Sequence, residues 1–553
     1  MKRIFLTVLT LVILAVFLFP AEAGQSREED AAKIDQLFLS WSKPDQPGAA
    51  VAVVRVGKPW IAKGFGMADL GRAIPIGPRT PLNIASLAKS FTAFAVLRLQ
   101  EDGRLALDDE VRKHLPEFPD FGPRLTLRHL LFHTSGLRDW GELRRIAGES
   151  PDVPVTVPLV LKLVSGQREL NFAPGMEFAY CNAGYVLLAE IVSRASGRSF
   201  KDYLKTTVFS PLKMPAAFVR DDPGALPEGT ALSYRRSREG RFEPVPDYEA
   251  APGPGSLFLS AEDLGLWLAA VDSGTIVPEN IRTQMRNPGK TSDGRDIPYA
   301  AGWIPDQTGG FPSLTHSGRW AGYQAYMIWI PERRFAAAVL INHSQADSSA
   351  LCRRIAEIGL ADAKPVAVAP PAPASSTGAS LGAFAGRYWL GGEQLISVSE
   401  KDGRLLARFS GDIPREWAAE SADTFVQPFL GARLRFFSAP GGRADRLTFM
   451  RLAETYAAER IPDESWTPAD ATEFCGRFKS PELAAEIEVK LGEKGLSLVY
   501  PRGSDLVLVP VAKDRFAGKD SMAKIVFARD AAGKVIEFRI SYLGARNVRF
   551  TRS

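Results

Sequence analysis

The phrase Phe384-Ala-Gly-Arg-Tyr388 returns as Phe474-Cys-Gly-Arg-Phe478, 474 − 384 = 90 residues later. The return goes on: Lys401-Asp-Gly-Arg-Leu-Leu is answered by Glu493-Lys-Gly-Leu-Ser-Leu, and Asp423-Thr-Phe425 by Asp514-Arg-Phe516. Arg446-Leu-Thr-Phe449 is matched by Val535-Ile-Glu-Phe538, 538 − 449 = 89. Short alternating apolar segments separated by Gly turns and repeated once predict two small antiparallel β domains of the barrel type. The alternative is a single β domain with incidental similarity.

Everything before the repeat has another texture. Residues 363–380 are rich in Pro, Ala and Ser without apolar periodicity, which predicts a linker. The expected division is therefore 24–362, linker 363–380, then 381–462 and 463–553. Within 24–362, Pro47–Val56 and Trp60–Met67 flank Gly57-Lys-Pro59 and predict a hairpin. Further strands are expected at Leu314–Gly318, Tyr323–Ile330 and Phe335–Asn342. Helices are expected over Arg27–Trp41, from Phe91 to Glu101, over Arg124–Phe132, Tyr185–Val192, Leu264–Val271 and Ser349–Leu360. Ser260-Ala-Glu-Asp263 has capping-box spacing before one of them. Strands at both ends with helices between predict an α+β domain, an antiparallel sheet flanked by helices whose strands join the two ends of the segment.

The N-terminus places Lys2-Arg3 before an apolar run, Ile4 to Phe19, and then Pro20-Ala-Glu-Ala23. This is the order of a secretory signal cut after Ala23, so residues 1–23 are read as a signal peptide and the protein as periplasmic or secreted. An uncleaved anchor is the alternative, since roughly 17–25 residues span a bilayer; the shortness of the run and its small-residue end favour cleavage. Cys181, Cys352 and Cys475 are too few for a disulfide framework and suit no metal site, which leaves buried thiols. A net charge of +5 over 553 residues, without a Lys/Arg block, gives no case for nucleic acid. No metal cluster, phosphate loop or nucleotide fingerprint occurs, so no cofactor is implied. Oligomeric state is not legible.

Three short motifs carry chemistry. Ser86-x-x-Lys89 heads an apolar helix, which puts both side chains on one face and the hydroxyl near the positive end of the helix dipole. An amine one turn from a serine can take its proton. The same spacing occurs at Ser40/Lys43, Ser210/Lys213 and Ser521/Lys524, and only Ser86 follows a strand and opens a long helix. Tyr180-Cys-Asn182 supplies a phenol able to shuttle a proton and an amide able to hold lysine and carbonyl together, on a loop before a helix. By itself this is more often a turn with a capping Asn. His316-Ser-Gly318 lies on an expected strand, where Gly318 lets a substrate backbone come close and an amide point at an oxyanion. A lone strand histidine is more often structural.

In the order Ser-x-x-Lys, Tyr-x-Asn, His-x-Gly, the chain resembles the serine β-lactamase and penicillin-binding superfamily, in its class C β-lactamase, D-aminopeptidase and esterase branch. The likeness runs from about Pro47 to Leu360 and includes Phe65-Gly-Met-Ala-Asp69, Leu105-Ala-Leu-Asp-Asp109 and Leu130-Leu-Phe-His-Thr-Ser-Gly-Leu137. It implies a class C β-lactamase-like fold with a helical subdomain, followed by lipocalin-like barrels. It implies Ser86 as the acylated nucleophile, Lys89 as its activator, Tyr180 as base and proton donor, and Asn182 as orienting Lys89 and substrate. The backbone amides of Ser86 and Arg319 would form the oxyanion hole. His133-Thr-Ser-Gly136 looks like that family's fold-supporting turn and is kept out of the catalytic set.

His316 stands where β-lactamases carry the lysine of Lys-Thr-Gly. With an ordinary pKa near 6.5, a histidine is about three-quarters neutral at pH 7, so carboxylate recognition is expected to weaken. This favours D-amino-acid peptides, amides or esters over β-lactams and C-terminal D-alanine, with a class C-like β-lactamase or a penicillin-binding DD-peptidase as the alternative. A reading of another kind is a non-catalytic protein that binds peptidoglycan fragments through the paired β domains.

Overall fold

The computed structural model describes residues 28–361 and 381–553, apart from positions 151, 225, 238, 391–394, 410–413, 428–431, 439–441, 452–453, 462–468, 520, 522 and 543. The expected signal segment and the linker lie outside the described residues. The chain divides into two units, one holding residues 28–97, 198–287 and 302–361, the other 98–197, 288–301 and 381–553.

The first unit is built on a six-stranded antiparallel sheet. Its strands are β1 (Ala49–Arg55), β2 (Lys58–Phe65), β3 (Ile304–Thr308), β4 (Phe311–Trp320), β5 (Tyr323–Ile330) and β6 (Phe335–Ile341), in the spatial order β3-β4-β5-β6-β1-β2. β1 pairs with β6 from Ala49↔Ile341 to Arg55↔Phe335, so strands from the two ends of the segment close the sheet, as expected. β1 and β6 are buried along nearly their whole length, because both faces are covered. Val51, Val53, Val339 and Ile341 face α1 (28–37) and α7 (Ser348–Gly359), where Ile34, Phe38, Cys352 and Ile355 complete the core. On the other face lies α6 (Ala261–Ser273), whose Gly265 faces Ala52. The expected capping box is present: the Ser260 hydroxyl accepts from the Asp263 amide while the Asp263 carboxylate accepts from the Ser260 amide.

The helix α2 (Ala88–Glu101) begins in the first unit and ends in the second. The second unit contains α3 (Leu127–Leu131), α4 (Trp140–Ile146) and α5 (Asn182–Ser196). α5 starts earlier than its apolar pattern suggested. The loop from Pro174 ends at Cys181, and Asn182 is the first helical residue rather than the cap. Gly197, with φ +72°, stops the helix as read.

The repeat forms two closed eight-stranded barrels, the first running from Gly386–Trp389 to Glu454–Ile461 and the second from Gly476–Ser480 to Ala545–Arg552. The repeated aromatic positions are their cores: Phe384, Tyr388, Phe425 and Phe449 in one, Phe474, Phe478, Phe516 and Phe538 in the other, all buried. An eight-stranded barrel has an interior just wide enough for side chains to fill or for one small ligand, and each buried aromatic contributes on the order of 2 kcal/mol. The glycine of each Phe-x-Gly-Arg-aromatic phrase also has a reason. Arg460 and Arg552 lay their guanidinium groups against Gly386 and Gly476 and over the rings of Tyr388 and Phe478, where a Cβ would intrude. Trp389, Ile461, Val511 and Ala517 form a buried cluster joining the two barrels. The fold class expected from sequence is the one observed.

None of the three cysteines forms a disulfide; Cys181 and Cys352 are buried, and Cys475 is half-buried. No helix among the described residues is long and apolar enough to cross a membrane.

Candidate active site

Ser86 lies in a 3₁₀ turn, Ala85–Leu87, that runs straight into α2. The turn is strained: Ala85 has φ +47°, a region that a residue with a side chain seldom occupies. It is held there by Asn83, whose Oδ1 accepts from the Ala85 amide at 2.8 Å. Asn83 Nδ2 donates to Asp247 at 2.9 Å, and Asp247 also accepts from Trp320 Nε1 at 2.8 Å. The backbone that presents Ser86 is thus fixed by a polar relay running from Asn83 through Asp247 to Trp320.

Lys89 is fully buried, and its Nζ donates to Ser86 Oγ at 3.0 Å and to the carbonyl of Pro254 at 3.1 Å. The same face of α2 is tied to the preceding residue, Thr92 Oγ1 donating to the Gly253 carbonyl at 2.7 Å. Trp267 stacks on Phe91 at 4.2 Å and donates to Ser90 Oγ at 3.2 Å, locking the helix from α6. Gly302, at φ +79°, lets the chain pass against the backbone of Lys89 and Ser90, where a Cβ would lie 2.7 Å from Ser90 Cα.

β4 brings His316, Gly318 and Arg319 alongside. β3 pairs with β4 from Thr308↔Phe311 to Ile304↔Thr315, so this pairing ends just before His316, while β5 pairs with β4 through Trp320↔Tyr323. A Cβ on Gly318 would lie 2.6 Å from the Ile84 carbonyl oxygen and 3.1 Å from the Ser86 amide nitrogen. The glycine makes room first for the chain's own nucleophile turn. His316 is buried, and its Nδ1 lies 2.7 Å from the Ser317 carbonyl, which makes Nδ1 the protonated nitrogen and leaves Nε2 as an acceptor. Burial, and then the Lys89 ammonium, push His316 down to about 3, with the Ser317 carbonyl opposing. The ring is neutral throughout the physiological range.

Sequence reasoning missed Glu249. It is buried, its carboxylate lies against Gly255, and it is held up at about 8 by burial first and Asp247 second, with Lys89 pulling down. Asn83, Asp247 and Glu249 sit in no motif. Asn83 and Asp247 are 164 residues apart, and only the fold pairs them.

Tyr180 and Asn182 lie in the second unit. Tyr180 is half-buried and its ring centroid is 4.3 Å from that of His133. His133, at φ +57°, also packs on Tyr185 and Tyr299, and its Nδ1 accepts from the Cys181 amide at 3.1 Å. The turn set aside as structural therefore shapes the Tyr180 loop. The Asn182 amide donates to Asp139 Oδ2 at 2.5 Å. Ser86, Lys89, His316, Gly318 and Arg319 are brought together in one unit, Tyr180 and Asn182 in the other. Among the described residues no group of His, Cys, Asp or Glu could hold a metal ion.

The family model described as Beta-lactamase matches residues 34–360. The chain belongs to the Beta-lactamase family. Similarity extends beyond the family segment. A D-aminopeptidase from Brucella canis is 27% identical over 530 residues, 92% of this chain and 96% of that protein. A D-aminopeptidase from Gluconobacter oxydans is 29% identical over 300 residues, 54% of this chain and 56% of that one. Among solved structures, the octameric penicillin-binding protein homologue from Pyrococcus abyssi aligns with TM-score 0.55 at 25% identity, over 78% of this chain and 99% of its own. The D-amino acid amidase from Ochrobactrum anthropi SV3, with TM-score 0.52 and 20% identity over 61% of this chain and 100% of its own, shares the fold. Membership of the Beta-lactamase family and D-aminopeptidase homology together support a serine hydrolase of the β-lactamase fold.

Proposed function

We propose that this chain is an exported serine hydrolase, periplasmic or secreted, that acts through an acyl-enzyme on D-amino-acid-containing peptides and amides or on esters. Ser86 Oγ attacks the carbonyl, and its proton passes to the base; Lys89, 3.0 Å away, is placed to receive it or to assist. The amides of Ser86 and Arg319 stabilise the oxyanion, each worth about 2.7–4 kcal/mol of barrier. The roles of Tyr180, returning the proton to the leaving group, and of Asn182, orienting Lys89 and substrate, rest on the motif resemblance.

His316 carries the choice of substrate class. A neutral imidazole whose Nδ1 faces a backbone carbonyl offers no charge to a carboxylate. Penicillins and C-terminal D-alanine therefore lose the pairing a lysine would give, and substrates without a carboxylate at that point are favoured. Likeness to D-aminopeptidases along 92% of the chain supports the same class.

The test is hydrolysis of D- and L-amino p-nitroanilides, p-nitrophenyl esters and nitrocefin by wild type and Ser86→Ala, with a fluorophosphonate label read by intact mass. Turnover of D-amino anilides or esters, lost together with the label in Ser86→Ala, is expected. Equal behaviour of the two proteins would end the serine-hydrolase reading, and nitrocefin as the preferred substrate would replace it with a β-lactamase. N-terminal sequencing of the mature protein tests export, with Gly24 as the expected first residue.

A further inference from the structure

Asp139 occupies a junction that neither the catalytic motifs nor the fold of the barrels requires. Its Oδ1 accepts from the Gly141 amide at 3.0 Å, capping α4. Its Oδ2 accepts from the amide of Asn182 at 2.5 Å, the first residue of α5. Cys181, the residue in the cap position of α5, supplies no side-chain cap, so a carboxylate from 182 − 139 = 43 residues away does that work at the positive end of the helix.

The backbone of Asp139 is in turn held by the second barrel. Its amide donates to the carbonyl of Gly544 at 2.7 Å, and the same carbonyl accepts from Asn171 Nδ2 at 3.1 Å. Asn171 Oδ1 accepts from the Arg546 amide at 2.7 Å, and the Asn171 amide donates to the Gly136 carbonyl at 2.6 Å. The contact is close enough to need glycine: a Cβ on Gly544 would lie 2.9 Å from Asp139 Cβ. Its neighbour Arg138 is also committed to this barrel, donating to Glu482 at 2.6 Å and to the Arg546 carbonyl at 2.9 Å.

The Tyr180 turn therefore has two anchors. His133 holds one side, its Nδ1 accepting from the Cys181 amide at 3.1 Å and its carbonyl accepting from the Ala179 amide at 2.9 Å. Asp139 holds the other side, and Asp139 answers to the barrel. We propose that Asp139 is a positioning residue through which the second barrel fixes the Tyr180–Asn182 turn. Its effect on turnover rests on the reading of Tyr180 and Asn182 as members of the active site; its effect on the turn does not.

Two variants of the full-length protein separate the parts. Asp139→Ser keeps a hydroxyl able to cap α4 but is too short to reach Asn182. Gly544→Ala leaves Asp139 unchanged and pushes on it from the barrel. Both are expected to speed amide hydrogen exchange in the peptide containing Asn182 and to lower kcat by at least about tenfold with KM little changed, as a displaced catalytic group does. Asp139→Glu, which keeps the carboxylate, is expected to recover part of the rate. Exchange at Asn182 equal to wild type in Asp139→Ser, or faster exchange with an unchanged kcat, would overturn the proposal. Gly544→Ala without effect on either measurement would overturn the barrel's share in it. If wild type shows neither turnover nor label at Ser86, the functional reading fails, and exchange alone decides the coupling.

Discussion

Lys89 and Glu249 meet at the Pro254-Gly255 segment, the ammonium donating to the Pro254 carbonyl and the carboxyl lying against Gly255. Below about 8 Glu249 keeps its proton and is neutral. Above that value its carboxylate adds a negative charge within electrostatic reach of Lys89, which favours the ammonium and weakens lysine as a base. In wild type kcat/KM should therefore fall as pH rises through about 8, and Glu249→Gln should flatten that limb while retaining activity at pH 7. A profile from pH 6 to 9.5 checks this, and an identical alkaline limb in the variant removes Glu249 from the site's acid–base chemistry. His316 should leave no mark near 6.5, the value of a free imidazole, because it is already neutral there. The sequence could name Ser86, Lys89 and His316 because each belongs to a spaced motif. It could not name Asn83, Asp247 or Glu249, whose meaning comes from burial and from partners distant in the chain.

At the scale of the element, β4 and the nucleophile turn are fitted to one another through Gly318. Sequence reasoning assigned that glycine to the approach of a substrate. The structure shows the turn itself occupying the space, with the Ile84 carbonyl 2.6 Å and the Ser86 amide 3.1 Å from where a Cβ would be. Gly318→Ala must either bend β4, which is tied to β5 through Gly318↔Ala325, or shift a turn already strained at Ala85. The turn is the softer of the two, so Ser86 and its amide move. Displacements near 1 Å cost up to about a hundredfold in rate, and a fall of that order in the acylation rate of Gly318→Ala is expected, with the melting temperature little changed. Stopped-flow acylation by a chromogenic ester measures it; wild-type acylation would show that the turn absorbs the methyl without moving Ser86. β1 and β6 were legible as continuous apolar runs, because both of their faces are covered, and α6 from its capping box. The start of α5 was not, since Asn182 is capped by Asp139 from another segment and no local residue announces it.

At the scale of the molecule, the repeat made the two barrels legible, but nothing in the sequence showed which surfaces they cover. Within the second unit the answer is concentrated at Arg138. Its side chain is 1% exposed, that of Glu482 is 5% exposed, and they pair at 2.6 Å. Arg138 also donates to the carbonyl of Arg546, while Arg145 lies over the ring of Tyr542 and Tyr500 packs on Gly148. Burial pulls the Arg138 guanidinium down, and Glu482 and Glu169 oppose it. A buried pair of this kind gives little net stability, because desolvation offsets the attraction, yet removing one partner strands a charge and costs about 3–5 kcal/mol. Glu482→Ala should therefore destabilise the barrel's attachment by about that amount, read as a lower denaturant midpoint in Trp140 fluorescence, the tryptophan next to this segment. Replacing both charges, Arg138→Met with Glu482→Leu, should recover most of the loss, since apolar residues of similar volume need no partner. Recovery should stop short of wild type, because the Arg546 carbonyl loses a donor. A Glu482→Ala cost below about 1 kcal/mol would mean that water reaches Arg138, and a double variant no better than the single one would place the loss in packing rather than in the stranded charge.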